Sequence, residues 1–184
     1  MKEEFENMYF HGLKGNIITY NSDEITINGS LQQLESIILT GGLYSRNKLA
    51  NYNIKYEHKP VENGNDYISI CVKNPKEEEF TGYNEGLNSS FINYVYSNKI
   101  ALIIDPQIEK NCEFRSKEET FMLPGERQVK DQIPFNYVRG ISVMFDNENS
   151  IVDATQKIKD LLDKYNINLP IVDRNLEEIN IMRK

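Results

Sequence analysis

Apolar residues recur at helical spacing in a segment near the start of the chain. Leu31, Leu34, Ile37 and Ile38 fall on one face of a helix. Ser30 is suited to be the N-cap, because its hydroxyl can accept a free backbone N–H of the first turn. Gly41-Gly42 can end the helix, since glycine adopts the left-handed conformation without a Cβ clash. The pattern therefore predicts a helix over Ser30–Thr40.

A second helical pattern lies near the end of the chain. Ala154, Ile158, Leu161 and Leu162 line one face, and Ser150 or Asp153 is the expected N-cap. The segment 166–170 should end this helix. Leu169–Val172 could then add an edge strand.

The other apolar segments are short and are typical of strands. They are Met8–His11, Asn16–Tyr20, Glu24–Ile27, Asp66–Val72, Lys99–Ile104, Arg127–Lys130 and Val138–Phe145. Phe91–Ser97 could be either helix or strand, whereas the polar segments 45–65 and 74–89 indicate long loops and 109–120 is expected to be exposed. Many strands with one helix near each end predict an α+β fold.

Composition places the chain among soluble globular proteins. Its 184 residues are expected to form a single domain, 1–184. A net charge of −7 works against broad binding to a phosphate backbone. The acidic N-terminus has no apolar segment of a signal peptide, and no apolar run is long enough to span a membrane. These features, with two cysteines expected to be free thiols, predict a cytoplasmic protein that does not bind membranes.

Several common catalytic motifs are absent from the sequence. It contains no phosphate-binding loop of the GxxxxGKS type, no GxGxxG and no GxSxG. It also has no CxxC, and its two histidines, His11 and His58, lie in unlike contexts. We therefore expect no metal site.

Four short motifs follow one another in a recognisable order. Tyr9-Phe10-His11-Gly12 ends a predicted strand, and the helix with LQQLESII is followed by GGLYSR, residues 41–46. The strand that begins Asp66-Tyr67-Ile68-Ser69-Ile70 comes next. The last motif is GERQVKDQIP, residues 125–134, which leads to YVRGI at 137–141.

This order resembles the ADP-ribosyltransferase superfamily, and within it the DarT-like and PARP-like bacterial toxin group. The resemblance covers roughly residues 9–145. It implies a split, two-sheet fold with an NAD⁺-binding cleft, in which NAD is a substrate. In that alignment 13–28 is an inserted hairpin and about 150–184 is a C-terminal helical extension.

The resemblance implies that Glu126 and Gln128 are the catalytic residues. Cleavage of the nicotinamide–ribose bond passes through a cation-like transition state, which a carboxylate such as Glu126 would stabilise. Gln128 lies two residues further along the strand, on the same side, and could contact the acceptor. The family's paired residue usually precedes the key glutamate by two positions. Pro124 stands there in this sequence, which leaves the acceptor type open.

Five further residues are implied to bind NAD⁺. His11 could donate a hydrogen bond to a ribose, and Gly12 would let the backbone approach the carboxamide. Tyr67 could stack on the nicotinamide, with Ser69 on the same face, and Arg46 could pair with the pyrophosphate. Relatives have the His-Gly motif closer to the helix, so Asn28-Gly29 is an alternative to His11-Gly12.

The leading hypothesis from the sequence is thus a mono-ADP-ribosyltransferase that modifies a macromolecule, with protein favoured over nucleic acid by the acidic charge. As a toxin or effector, it could have an antitoxin or immunity protein as a partner. The alternatives are an NAD glycohydrolase or an RNA 2′-phosphotransferase on the same fold, and a non-catalytic module that binds a ligand or a protein.

Overall fold

The computed structural model describes residues 2–5, 7–13, 27–49, 51, 66–72, 99–116, 118–119 and 125–181. Helices are α1 (Lys2–Phe5), α2 (Ile27–Thr40), α3 (Arg46–Leu49), α4 (Ile108–Asn111) and α5 (Glu148–Lys164). Strands are β1 (Tyr9–Gly12), β2 (Gly42–Tyr44), β3 (Tyr67–Val72), β4 (Ile100–Ile104), β5 (Glu126–Lys130), β6 (Gln132–Pro134), β7 (Val138–Val143) and β8 (Ile171–Val172). A 3₁₀ turn, Phe135–Tyr137, joins β6 to β7.

The strands form two sheets. The larger has the order β5-β3-β1-β4-β7-β8, and the smaller pairs β2 with β6. Neighbours in the larger sheet are antiparallel except for β7 and β8, which are parallel. This architecture confirms the predicted α+β fold with two sheets.

Both faces of the larger sheet are covered by apolar side chains. On one face, residues such as Leu102 and Ile141 pack with Leu34 and Ile37 of α2 and Ile158 of α5. We call this the helix face. The second face carries a smaller cluster that includes Phe10, Cys71 and Ile103, packed with Phe5 and Leu176 from near the two ends of the chain. We call it the terminal face. Because β4 is enclosed on both faces, its five residues are all buried, as the sequence predicted.

The ladder between β1 and β3 is short. β1 pairs with β4 along its whole length, from Tyr9 to Gly12, but it pairs with β3 only at Tyr9 and Phe10. The two strands therefore separate after Phe10, and the larger sheet divides at that point. Helix α2 starts beside this opening, because the hydroxyl of Ser30 donates a hydrogen bond to the carbonyl of Leu13 at 3.0 Å.

Both long helices begin at positions that differ from the prediction. Helix α2 begins at Ile27, not after Ser30, so Ser30 is not the N-cap and Ile27 is not in a strand. The predicted C-terminus is right, since Gly41 has a φ of +83° and its N–H bonds back to Ile37. Helix α5 is capped by Asn147, whose side chain accepts a hydrogen bond from the backbone N–H of Ser150. Neither Ser150 nor Asp153 is its cap.

Two segments predicted as irregular contain short helices. Residues 46–49 form α3 inside the predicted loop 45–65, and α4 lies at the start of the polar segment 109–120. The predicted strand over 16–20, most of the inserted hairpin at 13–28, the loop at 74–89 and the segment 91–97 lie outside the described residues. After α5 the chain is not helical up to residue 181, so the predicted C-terminal extension is helical only in its first part.

Candidate functional site

The described residues place Glu126 at the start of β5 on the terminal face of the sheet. It lies opposite Cys71, and Cys71 lies opposite Phe10 of the terminal-face cluster. Side chains directly opposite each other on paired strands share a face. Gly125 precedes Glu126 with a φ of +82°, a conformation that glycine adopts without strain, and its carbonyl accepts a hydrogen bond from Val72.

Glu126 is buried, with 9% of its surface exposed. A carboxylate is rarely buried to this extent, because desolvation of its charge is costly unless other polar groups compensate. One such group is the Gln128 amide, whose Nε2 lies 3.5 Å from Oε2 of Glu126. The charge of Glu126 also acts on Cys71, the residue opposite it on β3. Burial raises the pKa of the Cys71 thiol, and the negative charge of Glu126 raises it further.

Gln128 and Ser69 lie directly opposite each other on β5 and β3. Tyr67 lies opposite Lys130 one step further along the same face. The structure thus brings Glu126 and Gln128 onto one face with Ser69 and Tyr67 of the neighbouring strand, although the two pairs are more than fifty positions apart in the sequence. All four were predicted site residues.

His11 lies where β1 and β3 separate. Its Nδ1 is 2.9 Å from the backbone carbonyl of Ser69, so the imidazole bridges the opening with a hydrogen bond in place of a backbone ladder bond. A carbonyl can only accept, so Nδ1 carries the proton and donates. In the neutral ring Nε2 is then an acceptor, and a ribose hydroxyl would donate to His11 instead of accepting from it.

Gly12 follows His11 at the end of β1, where it pairs with Ala101 of β4. The alternative first motif, Asn28-Gly29, lies inside the first turn of α2 and not at the end of a strand. Of the two candidates, only His11-Gly12 therefore lies at the division of the sheet.

Arg46 lies at the opposite end of β5 from Glu126. It is the first residue of α3, which is tied to the end of β5 by a hydrogen bond from the Ser45 N–H to the carbonyl of Asp131. The Asn47 side chain also donates to Asp66, next to β3, at 2.6 Å. Since a strand rises about 3.3 Å per residue, the length of β5 separates the two ends by roughly 13 Å.

Arg115 is a residue of this region that the sequence did not indicate. It was expected to be exposed within 109–120, but only 9% of its side chain is accessible. Its guanidinium carbon lies 4.5 Å from the centre of the Tyr67 ring, and its Nη1 donates to Oε1 of Gln128 at 3.1 Å. A nicotinamide that stacks on Tyr67 must therefore use the other face of the ring or displace Arg115. The signal in the sequence was Phe114, a large apolar residue in a polar segment.

A cavity of about 360 Å³ lies at the same edge of the sheet, and Arg115 is one of its lining residues. Tyr9, Glu109, Phe114 and Arg127 are among its lining residues, and the Tyr9 hydroxyl donates to Glu109. The Arg127 guanidinium bonds the backbone carbonyl of Glu126 at 2.8 Å. Among the residues that the structure describes, no group of three or more acidic, histidine or cysteine side chains could hold a metal ion.

The chain is similar to known proteins at the level of solved structures and not at the level of sequence. No protein-family model matches the sequence, and no curated protein matches it. The chain is similar to DarT from Thermus sp. 2.9. The structure of that protein in complex with NAD⁺ has 12% identity and a TM-score of 0.48, over 94% of this chain and 96% of DarT. The complex with carba-NAD⁺ has 12% identity and a TM-score of 0.44, over 92% and 95% of the two chains.

No helix in the described part of the chain is long and apolar enough to cross a membrane.

Proposed function

We propose that this chain is a mono-ADP-ribosyltransferase that cleaves NAD⁺ and transfers ADP-ribose to a macromolecule. The observation that carries the proposal is the buried carboxylate of Glu126, which lies beside the Gln128 amide on β5, the outer strand next to β3 in the larger sheet. The order of sequence motifs that resemble the ADP-ribosyltransferases supports it. So does the position of His11-Gly12 where β1 and β3 separate.

The chemistry suits a buried carboxylate. When the bond between ribose C1′ and the nicotinamide nitrogen breaks, its electron pair goes to the nicotinamide ring and the ribose becomes cation-like. The charge of Glu126, in a site largely shielded from water, would stabilise that cation. A nucleophilic oxygen or nitrogen of the acceptor then forms the new bond to C1′ and loses its proton.

The remaining residues have roles in binding. His11 lies opposite Leu102 on the helix face, whereas Tyr67 and Ser69 lie on the terminal face. The nicotinamide riboside end would therefore have to sit in the opening between β1 and β3 to contact all three residues. Arg46, at the other end of β5, would pair with phosphate charge. The acceptor is proposed to be a protein side chain, because a net charge of −7 disfavours nucleic acid.

Nicotinamide release from NAD⁺ by the purified protein is the direct test. We expect release by the wild type, and a fall of roughly a hundredfold or more in kcat for Glu126→Gln, which keeps the shape and removes the charge. Glu177→Gln is the matched control, since Glu177 is an exposed glutamate near the C-terminus. Thermal unfolding of each variant checks that the fold is retained.

Labelled NAD⁺ and a cell lysate separate the outcomes. Label that enters macromolecules and is lost on protease digestion supports a protein acceptor, whereas loss on nuclease digestion would point to nucleic acid. Release of nicotinamide without labelling would indicate a glycohydrolase. If the wild type neither releases nicotinamide nor labels the lysate, the enzymatic proposal is wrong.

A further inference from the structure

Arg115 belongs to a short segment that extends the larger sheet beyond β5. Its backbone N–H donates to the carbonyl of Gln128 at 2.8 Å, and the N–H of Lys130 donates to the carbonyl of Glu113 at 2.8 Å. Between these two bonds, Phe114 and Val129 form an antiparallel bridge. Since Phe114 packs with the helix-face core, Arg115 points to the terminal face, where Glu126 and Gln128 lie.

Three groups surround the Arg115 guanidinium. The Tyr67 ring lies beneath it, Gln128 Oε1 accepts from its Nη1, and the Glu119 carboxylate is 3.7 Å from its Nε. A planar guanidinium is suited to stacking on an aromatic ring while it donates in its own plane. Only 9% of the Arg115 side chain is exposed, so these contacts are largely shielded from solvent.

The contact with Arg115 decides which way the Gln128 amide is turned. A guanidinium only donates, so Oε1 of Gln128 must face Arg115 and the NH₂ group must point away from it. The NH₂ group is directed at Glu126, with Nε2 at 3.5 Å from Oε2. Turned the other way, the amide would place its oxygen against a carboxylate and its NH₂ group against a cation, and both contacts would be repulsive.

We propose that Arg115 is a positioning residue for the proposed reaction. It fixes the amide of Gln128, and through that amide it orients the carboxylate of Glu126 toward the ribose. This inference rests on the proposed function, and it adds a chain of three residues, Arg115 to Gln128 to Glu126, in which Arg115 itself does not meet the reacting atoms.

A double-mutant cycle tests the chain of contacts. The variants are Arg115→Met, Gln128→Met and the two combined, with Arg174→Met as a control because Arg174 is exposed and pairs with Asp146 far from β5. Each single substitution should lower kcat for nicotinamide release about tenfold, equivalent to ~1.4 kcal/mol. The combined variant should be no slower than Gln128→Met alone, because Arg115 acts only through Gln128.

Other results of the cycle would overturn the proposal. Additive losses in the combined variant would mean that Arg115 acts independently of Gln128. An unchanged kcat in Arg115→Met would mean that the amide needs no support. A lower KM with a higher kcat would mean that the guanidinium competes with nicotinamide for Tyr67. If Arg115→Met does not fold, Arg115→Lys replaces it, and the lysine should recover only part of the loss since it lacks the planar fork.

A second measurement does not depend on catalysis. The side-chain NH₂ resonances of Gln128 are assigned from their absence in Gln128→Met. In the wild type the two protons should be shifted from the values of a solvent-exposed glutamine and protected from exchange, and in Arg115→Met they should move toward those values and lose protection. If nicotinamide release fails in the wild type while these resonances respond, the proposed function is wrong and the positioning contact stands. Resonances that stay unchanged in Arg115→Met would refute the contact itself.

Discussion

Gly42 is a residue for which the structure allows the stability cost of a substitution to be worked out from distances. It is the first residue of β2 and lies opposite Pro134 of β6. A Cβ added there would be 2.5 Å from the carbonyl oxygen of Ile133 and 3.1 Å from the Cα of Pro134. Both are backbone atoms, so no side-chain rotation can relieve the contact. Gly42→Ala must separate β2 from β6.

The size of the effect follows from the distance. The contact is about 0.9 Å shorter than the 3.4 Å at which ordinary contact begins. Overpacking of this kind costs about 1–3 kcal/mol, and the rigid partner places Gly42→Ala near the upper end, at roughly 2–3 kcal/mol. For a chain of this length each kcal/mol lowers Tm by about 2–4 °C, so we expect a fall of roughly 4–12 °C.

Gly41→Ala is the matched control. Gly41 has a φ of +83° but nothing within 4 Å of an added Cβ, so its substitution is strained only in the backbone. That strain costs about 1–2 kcal/mol for alanine and less for asparagine, which tolerates the left-handed region. Gly41→Asn should therefore recover much of the loss, whereas Gly42→Asn should not. The measurement is the free energy of unfolding by urea. A Gly42→Ala variant as stable as the wild type, or less affected than Gly41→Ala, would refute the reasoning.

Three further experiments test other parts of the structure. Asn147→Ala should lower the free energy of unfolding by about 1 kcal/mol because it removes the N-cap of α5, whereas Ser150→Ala should cost much less in the same urea titration. Hydrogen bonds from Tyr165, at 2.5 Å, and Lys164, at 2.9 Å, lower the pKa of Glu35 below its usual 4.5. A carboxyl group whose pKa is lowered in the folded state stabilises the protein above pH 4.5, and this stabilisation is lost as the pH falls through the folded-state pKa. The difference in unfolding free energy between the wild type and Glu35→Gln should therefore shrink when the pH is lowered from 7 to 3. An unchanged difference would contradict the contact. Burial raises the pKa of the Cys71 and Cys112 thiols, but Cys112 is only half-buried. A thiol reagent at pH 8 should therefore label Cys112 first and Cys71 only on unfolding. Equal labelling rates would contradict the burial of Cys71.

Local patterns in the sequence predicted most of the elements that the structure describes. The face of α2 and its end at Gly41 follow from spacing and glycine conformation, which need no information from distant residues. The buried strand β4 was evident because its five residues are apolar and are closed by Asp105-Pro106. The pairing of residues 126 and 128 on one side of β5 follows from the two-residue period of any strand.

Helix starts were less well predicted, because several residues compete as caps. Asn147, Ser150 and Asp153 are all good caps, and the choice depends on where the chain leaves β7. For α2, the hydroxyl of Ser30 is engaged by Leu13, far away in the sequence, and the helix extends back to Ile27. A residue suited to be a cap can be recognised locally in the sequence. Whether its side chain is instead bonded to a residue distant in the chain cannot.

The geometry of the candidate site was decided by the tertiary structure. The sequence supplied Glu126, Gln128, His11, Gly12, Tyr67, Ser69 and Arg46 through the order of their motifs. The separation of β1 from β3, the burial of Glu126 and the position of Arg115 could not be predicted from it. Each of these depends on the register between strands that are distant in the chain. Register is set by the packing of whole faces, which no local pattern encodes.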